Sequence, residues 1–256
     1  MLRKITAMLC TALLALSISI PIQAADSPQI SEGFGCNFID GKDSDDLDKV
    51  IEYYTSQRSK IDSPALQKMR SITWTPILGS VSVDIVWFNS NLTFNEWGEV
   101  QDAITGTSIG QAIQARFDTV LDCPGSGLSI NENLFRNDKE FTANEGVVIE
   151  SYRCNLSPGK TIADSDAAIA AWKPVFANAV AATDTASIVG RRTPLISGSG
   201  FDLSYYLVWD DASAYAAGNS ARLADPEDAT SAEMFAAAHT CESALFNGRI
   251  VVRPSE

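Results

Sequence analysis

The residues of this chain that most resemble catalytic machinery are two Gly-Lys pairs, Gly41-Lys42 and Gly159-Lys160. A phosphate loop needs Gly, four residues and then Gly-Lys-Ser/Thr, so that backbone N–H groups cradle the phosphate oxygens. Neither pair meets that spacing. Five residues separate Gly35 from Gly41, and Cys154 occupies the place of the first Gly in the second stretch. Both pairs read as strand-to-helix turns, with Gly allowing the bend and an acidic residue capping the helix. Lys42 and Lys160 remain candidates for attracting an acidic ligand. His239 is the only histidine. It could act as a general base or a haem ligand, but a lone histidine here reads more readily as a helix-end residue. A two-histidine metal site is excluded. No Gly-x-Ser-x-Gly elbow supports a hydrolase triad, and "SGSGF" before Asp202 reads as a hairpin loop.

The stretches "CNFIDGKDSDD" and "CNLSPGKTIAD" match each other, and a shift of 118 residues superposes them. In the same register Cys123 meets Cys241, Thr75-Pro76 meets Thr193-Pro194, Asp84 meets Asp202, Trp87-Phe88 meets Tyr205-Tyr206, and Phe117 meets Phe235. The matches fall on cysteines, turn residues and apolar anchors. They indicate an internal duplication, with residues 25–135 as one unit, 136–144 as a linker and 145–256 as the second unit.

Each unit must therefore supply the same elements. In the first, "GFGCNF" is a strand, Leu47, Val50, Ile51 and Tyr54 keep helical spacing, "SITWTPIL" and "VSVDIVWF" are strands, Ile109, Ile113, Phe117 and Val120 mark one further helix, and "LDC" opens a short last strand. The second unit repeats this with "VVIESYRCNL", a helix through Ile169, Trp172 and Phe176, "ASIVGRRTPLI", "FDLSYYLVW", an Ala-rich helix and Cys241. Residues 124–144, rich in Gly, Ser and Asn, read as a surface loop, the end of the last strand and the linker. The order βαββαβ, twice, is the split βαβ arrangement of ferredoxin-like domains. There the first and last strands are antiparallel neighbours. Of the three pairings four cysteines allow, Cys36–Cys123 and Cys154–Cys241 suit that topology, while pairing between the units would break its symmetry.

Strand alternation then selects candidate ligand-binding residues. With Phe34, Cys36 and Phe38 facing the helices, Asn37 faces the opposite side of the sheet, and Arg153 and Asn155 do so in the second unit. Asp84 and Asp202, with Phe88 and Tyr206, are expected on the same face. Together with Lys42 and Lys160, these residues form a polar ligand site in an otherwise apolar cavity, or else a structural network that satisfies the sheet interface. The tryptophans read as core.

The N-terminus "MLRKITAMLCTALLALSISIPIQA" has a basic start, a short apolar run and small residues before Ala24, the pattern of a secretory signal peptide spanning residues 1–24. Cys10 would be removed with it, leaving four cysteines for an oxidising compartment, periplasmic or secreted. The net charge is −13, and −15 once the positive charges of Arg3 and Lys4 are gone. That acidity disfavours nucleic acid and anionic membranes as partners.

The repeated Cys-Asn-[Phe/Leu]-x-x-Gly-Lys pattern, with Asp-[Ile/Leu]-x-[Trp/Tyr]-[Phe/Tyr] about 40 residues on, resembles a family of exported bacterial proteins. These are similar to the dimeric α/β-barrel (antibiotic biosynthesis monooxygenase-like) superfamily. The resemblance spans most of Cys36 to Cys241. It implies an α+β fold in which two ferredoxin-like units pack sheet to sheet as a barrel within one chain, a monomer with an internal pseudo-dimer. Superfamily members include cofactor-free oxygenases, haem-handling enzymes, decarboxylases and isomerases, and no catalytic motif of theirs is present here. The expectation is an exported protein binding a small organic molecule without a cofactor or metal. The alternatives are a cofactor-independent oxygenase or isomerase, or a packed scaffold without a ligand.

Overall fold

The structure is a computed structural model and describes residues 28–79, 81–141, 145–197 and 200–253. The expected export signal and its cleavage point lie outside the described residues. Eight strands, β1 (Gln29–Phe38), β2 (Arg70–Gly79), β3 (Ile85–Leu92), β4 (Leu121–Arg136), β5 (Glu145–Leu156), β6 (Ser187–Ser197), β7 (Leu203–Trp209) and β8 (His239–Val252), close into a barrel in the order β1-β3-β2-β8-β5-β7-β6-β4. Every pairing is antiparallel. Closure leaves no sheet edge exposed.

The helices α1 (Ser44–Arg58), α2 (Pro64–Lys68), α3 (Phe94–Gly106) and α4 (Ser108–Phe117) cover one side of the barrel, and α5 (Ile162–Ala181), α6 (Ala212–Ala224) and α7 (Asp228–Ala238) cover the other. Each strand thus has two buried faces, with successive side chains alternating between them. In β3, Ile85 and Trp87 meet the helical layer while Val86 and Phe88 turn into the barrel. In β7, Leu207 and Trp209 pack on α5 and α6, whereas Tyr206 and Val208 face inward. All seven residues of β7 are buried for this reason.

The Gly-Lys pairs sit in turns. Gly41 (φ +78°) and Gly159 (φ +79°) adopt left-handed backbone, where a Cβ would be strained. The next helix starts on a side-chain cap in each case. Asp43 accepts from the N–H groups of Asp45 and Asp46, and Thr161 forms a capping box with Asp164.

Three elements depart from the sequence expectation. The single second helix of the first half is two, because Thr93 and Glu96 build a capping box that starts α3 early and Thr107 breaks it with extended backbone. The Ala-rich helix likewise divides into α6 and α7. The Gly- and Ser-rich stretch after Cys123 is strand rather than loop up to Arg136. Its backbone is paired with β1 on one side and β6 on the other, so composition did not decide its state.

Disulfides join Cys36 to Cys123 and Cys154 to Cys241, each bridging 87 residues. Cys154 and Cys241 stand directly opposite on β5 and β8, and Cys36 lies at a bulge between β1 and β4. Restricting loops of this length in the unfolded chain contributes about 4 kcal/mol per bridge. Replacing both Cys154 and Cys241 by Ser is expected to lower unfolding free energy by about that amount. Urea denaturation checks it, and non-reducing peptide mapping that joined Cys36 to Cys154 would refute the pairing.

Candidate functional site in the barrel interior

The barrel interior holds two chambers. The wider, about 570 Å³, is walled by Val86, Phe88, Phe246 and Leu128, and by backbone left bare at glycines on β1 and β4. Pro124, Gly125 and Glu242 are exposed at its rim. The narrower, about 180 Å³, lies towards the other barrel end and is lined by Arg70, Asn131, Asn133, Arg136 and Tyr206 among others. Trp74 and Arg192 line both chambers.

Arg192 is the partition between them. It projects inward from β6, while its neighbour Arg191 points outward to Glu132 and Asp166. Four strand positions separate β6 from β2 in either direction around the eight-stranded barrel, so these strands face each other across the interior. The Arg192 guanidinium lies 4.7 Å from the Trp74 ring centre on β2, 3.8 Å from Phe88 on β3 and 4.4 Å from Tyr206 on β7. Cation–π attraction to three rings holds it there. Burial nevertheless disfavours the charged form and pushes its pKa down to about 10, although the nearby Tyr206 opposes the shift. The Nε atom has no hydrogen-bond partner, and neither does the indole N–H of Trp74. No carboxylate pairs with Arg192 among the described residues.

The rings around Arg192 are held by close packing. Tyr206 donates its hydroxyl to Asn131 Oδ1 at 2.8 Å. Its ring lies over Gly190, where a Cβ would stand 2.0 Å from Cζ. Phe88 lies over Gly33 in the same way, with a Cβ position 2.6 Å from Cε1. Only glycine leaves room for these rings.

Of the candidates drawn from sequence, Arg153 and Tyr206 line these chambers. Arg153 stands at the rim of the wider one, paired with Glu242 across β5 and β8 at 2.9 Å. Asn37, Asp84, Asn155 and Asp202 lie elsewhere, locked into two equivalent clamps. Asn37 Oδ1 accepts from the Asp84 N–H (3.2 Å) while Asp84 Oδ2 accepts from the Phe38 N–H (2.9 Å). Asn155, Asp202 and Leu156 repeat those bonds at 3.2 and 2.9 Å. These side chains close the strand ends and satisfy backbone donors, which takes them off the cavity wall. Lys42 and Lys160 are also outside it, paired with Asp46 and Asp164 one helical turn on.

His239 is outside the barrel as well. It begins β8 behind the helical layer and is only 4% exposed. Its Nε2 lies 2.9 Å from Ser165 Oγ and 3.2 Å from the Tyr205 hydroxyl, and Nδ1 faces the Phe235 carbonyl at 3.0 Å. Ser165 is fully buried, so the Ser-His pair has no route to a substrate.

Sequence reasoning missed Arg192. The available signal was its position: the 118-residue offset puts Arg192 where the first half has Trp74, and Tyr206 where it has Phe88. A cation in the register of a buried tryptophan marks an interior polar site.

Neither a family model nor a curated protein matches this sequence. Solved structures do share its fold. A "putative monooxygenase" from Lactobacillus acidophilus NCFM aligns with TM-score 0.53 and 10% identity, over 89% of this chain and 95% of that one. Another "putative monooxygenase", from Fusobacterium nucleatum, aligns at 0.54 and 10%, over 89% and 94%. A chlorite dismutase variant from Candidatus Nitrospira defluvii aligns at 0.51 and 11%, over 89% and 93%. At these identities the likeness is one of fold. Haem-handling enzymes are among the proteins that the sequence resembles, which raises the question of a haem site. The residues here do not fit a histidine-ligated one, because His239 is outside the barrel and, among the described residues, no histidine or methionine lines either chamber.

Two outcomes follow from the placement of these side chains. Asn155→Ala is expected to cost about 1 kcal/mol of stability through the lost backbone bond, with no effect on any ligand of the cavity; thermal melts and binding titrations of the variant check both. Burial and the nearby Arg191 hold the His239 pKa below its ordinary value. The unfolded chain therefore takes up a proton near pH 6.5 that the folded chain refuses. Stability is full above that pH and declines as pH falls through it, towards the lower folded pKa. A stability-against-pH series on wild type and His239→Asn should show this slope only in wild type.

Proposed function

We propose that this chain is an exported protein that binds a small organic molecule inside its barrel. The cavity carries this reading: about 570 Å³ of mainly apolar space with one inward-facing guanidinium is the size and character of a small-molecule site. A packed scaffold would have filled that space with side chains. The enzyme alternative has less support from the chain's own residues. Among the described residues, Glu242 is the only acidic one on the wall of the wider chamber, and it is committed to Arg153.

The matching clamps, the matching disulfide spans and the strand orders 4-1-3-2 and 8-5-7-6 favour a duplicated ferredoxin-like unit, residues 25–135 and 145–256 joined by 136–144. On this reading the barrel is an internal pseudo-dimer, and the chain works as a monomer. A signal peptide over residues 1–24 and an even set of paired cysteines favour the periplasm or the exterior. Among the described residues no helix is long and apolar enough to cross a membrane.

Native mass spectrometry of the protein from its own host should show a bound small molecule. Gly125 is at the mouth, and a Cβ there would meet no atom within 4 Å. Gly125→Phe should fit there, obstruct the entrance and abolish the extra mass. Persistence of the extra mass in Gly125→Phe would place the ligand outside the barrel.

A further inference from the structure

We propose that the ligand of the cavity is an organic anion, held by its oxyanion group on Arg192 with its apolar body in the wider chamber. This deepens the small-molecule reading above and rests on it.

A guanidinium carries five N–H donors and can neither accept a hydrogen bond nor give up its charge in ordinary conditions. Three aromatic rings stabilise its face, and rings accept N–H bonds poorly. Its edge is therefore left for another acceptor. Nε has none among the described residues, and neither does the adjacent Trp74 N–H. A side chain whose only task was to brace the interior would be better served by methionine or leucine, which carry no desolvation cost. A charge kept there without a carboxylate is the arrangement that an oxyanion, carboxylate or sulfonate, completes through a bidentate pair.

The charge distribution around Arg192 points the same way. The chain as a whole is acidic, yet the narrow chamber behind Arg192 brings Arg70 and Arg136 to its wall. The Arg70 Nε is buried without a hydrogen-bond partner. The carboxylate paired with Arg136 is Glu140, which is largely exposed. With Arg136 matched by Glu140, the positive floor at the end of the apolar chamber is made by Arg192 and Arg70. At the mouth, Glu242 is neutralised by Arg153. A neutral apolar guest would leave the Arg192 donors unsatisfied. An inorganic anion alone would leave the apolar chamber unfilled. A molecule with both parts satisfies both.

The test uses two probes with the same ring skeleton, 8-anilinonaphthalene-1-sulfonate and its uncharged counterpart N-phenyl-1-naphthylamine, titrated by fluorescence into the full-length folded protein. Signal that survives Gly125→Phe is subtracted as binding outside the cavity. The expected result is tighter cavity binding of the sulfonate, lost about ten-fold or more in Arg192→Met while the neutral probe is retained or improved. Arg192→Lys keeps the charge and loses the fork, so it should fall between the two. It also decides the question if Arg192→Met does not fold. If the neutral probe binds as well as the sulfonate and neither responds to Arg192, the anion assignment is wrong and the cavity reading stands. If neither probe enters the cavity, the small-molecule reading itself fails.

Discussion

Closing the sheet on itself is the constraint from which the other features follow. With no edge to expose, each strand must present one row of side chains to a helical layer and the other to a shared interior. The interior row cannot be packed by any helix. It is filled only by what the strands themselves bring, and its empty space is fixed by which positions carry glycine and which carry rings. Gly33 and Gly190 let Phe88 and Tyr206 lie flat against the wall. Those rings then define where a long side chain from β6 can rest.

A buried cation is ordinarily a liability, because it loses hydration that nearby groups must replace. Here aromatic faces replace part of it. The rings also fix the side chain, so the guanidinium is already in place before any partner arrives. Preorganisation of this kind lowers the ordering cost of binding. The opposite end of the wider chamber is built differently. Arg153 and Glu242 neutralise each other at an exposed rim, where an ion pair contributes little to stability and leaves the entrance without net charge from these two groups.

The parts of the structure that sequence made legible are those governed by local rules. Alternation in "VSVDIVWF" and "FDLSYYLVW" located β3 and β7, helical spacing located α1 and α5, and the equal cysteine spans anticipated the disulfides. The parts it obscured depend on partners distant in the chain. The stretch from Pro124 to Arg136 looks like loop and is strand because β1 and β6 pair with it on either side. Alternation places Asn37 and Asp84 inward, but it does not hold at strand ends: Asn37 is one residue short of the end of β1, Asp84 just precedes β3, and backbone donors capture both side chains. Arg192 was hidden by its neighbour: in "GRRT" only pairing register distinguishes the arginine that meets Glu132 outside from the one that meets three rings inside.

The facing positions 74 and 192 have one more implication. In a barrel assembled from two identical chains, every wall residue occurs twice, so a central arginine would confront another arginine across a narrow space and a central tryptophan would meet a second tryptophan. One chain that encodes both halves escapes that rule. It can place a cation on one wall and an aromatic surface opposite, giving the interior a direction along which a guest has a head and a tail. Covalent continuity between the halves thus provides polarity that a symmetric assembly cannot have.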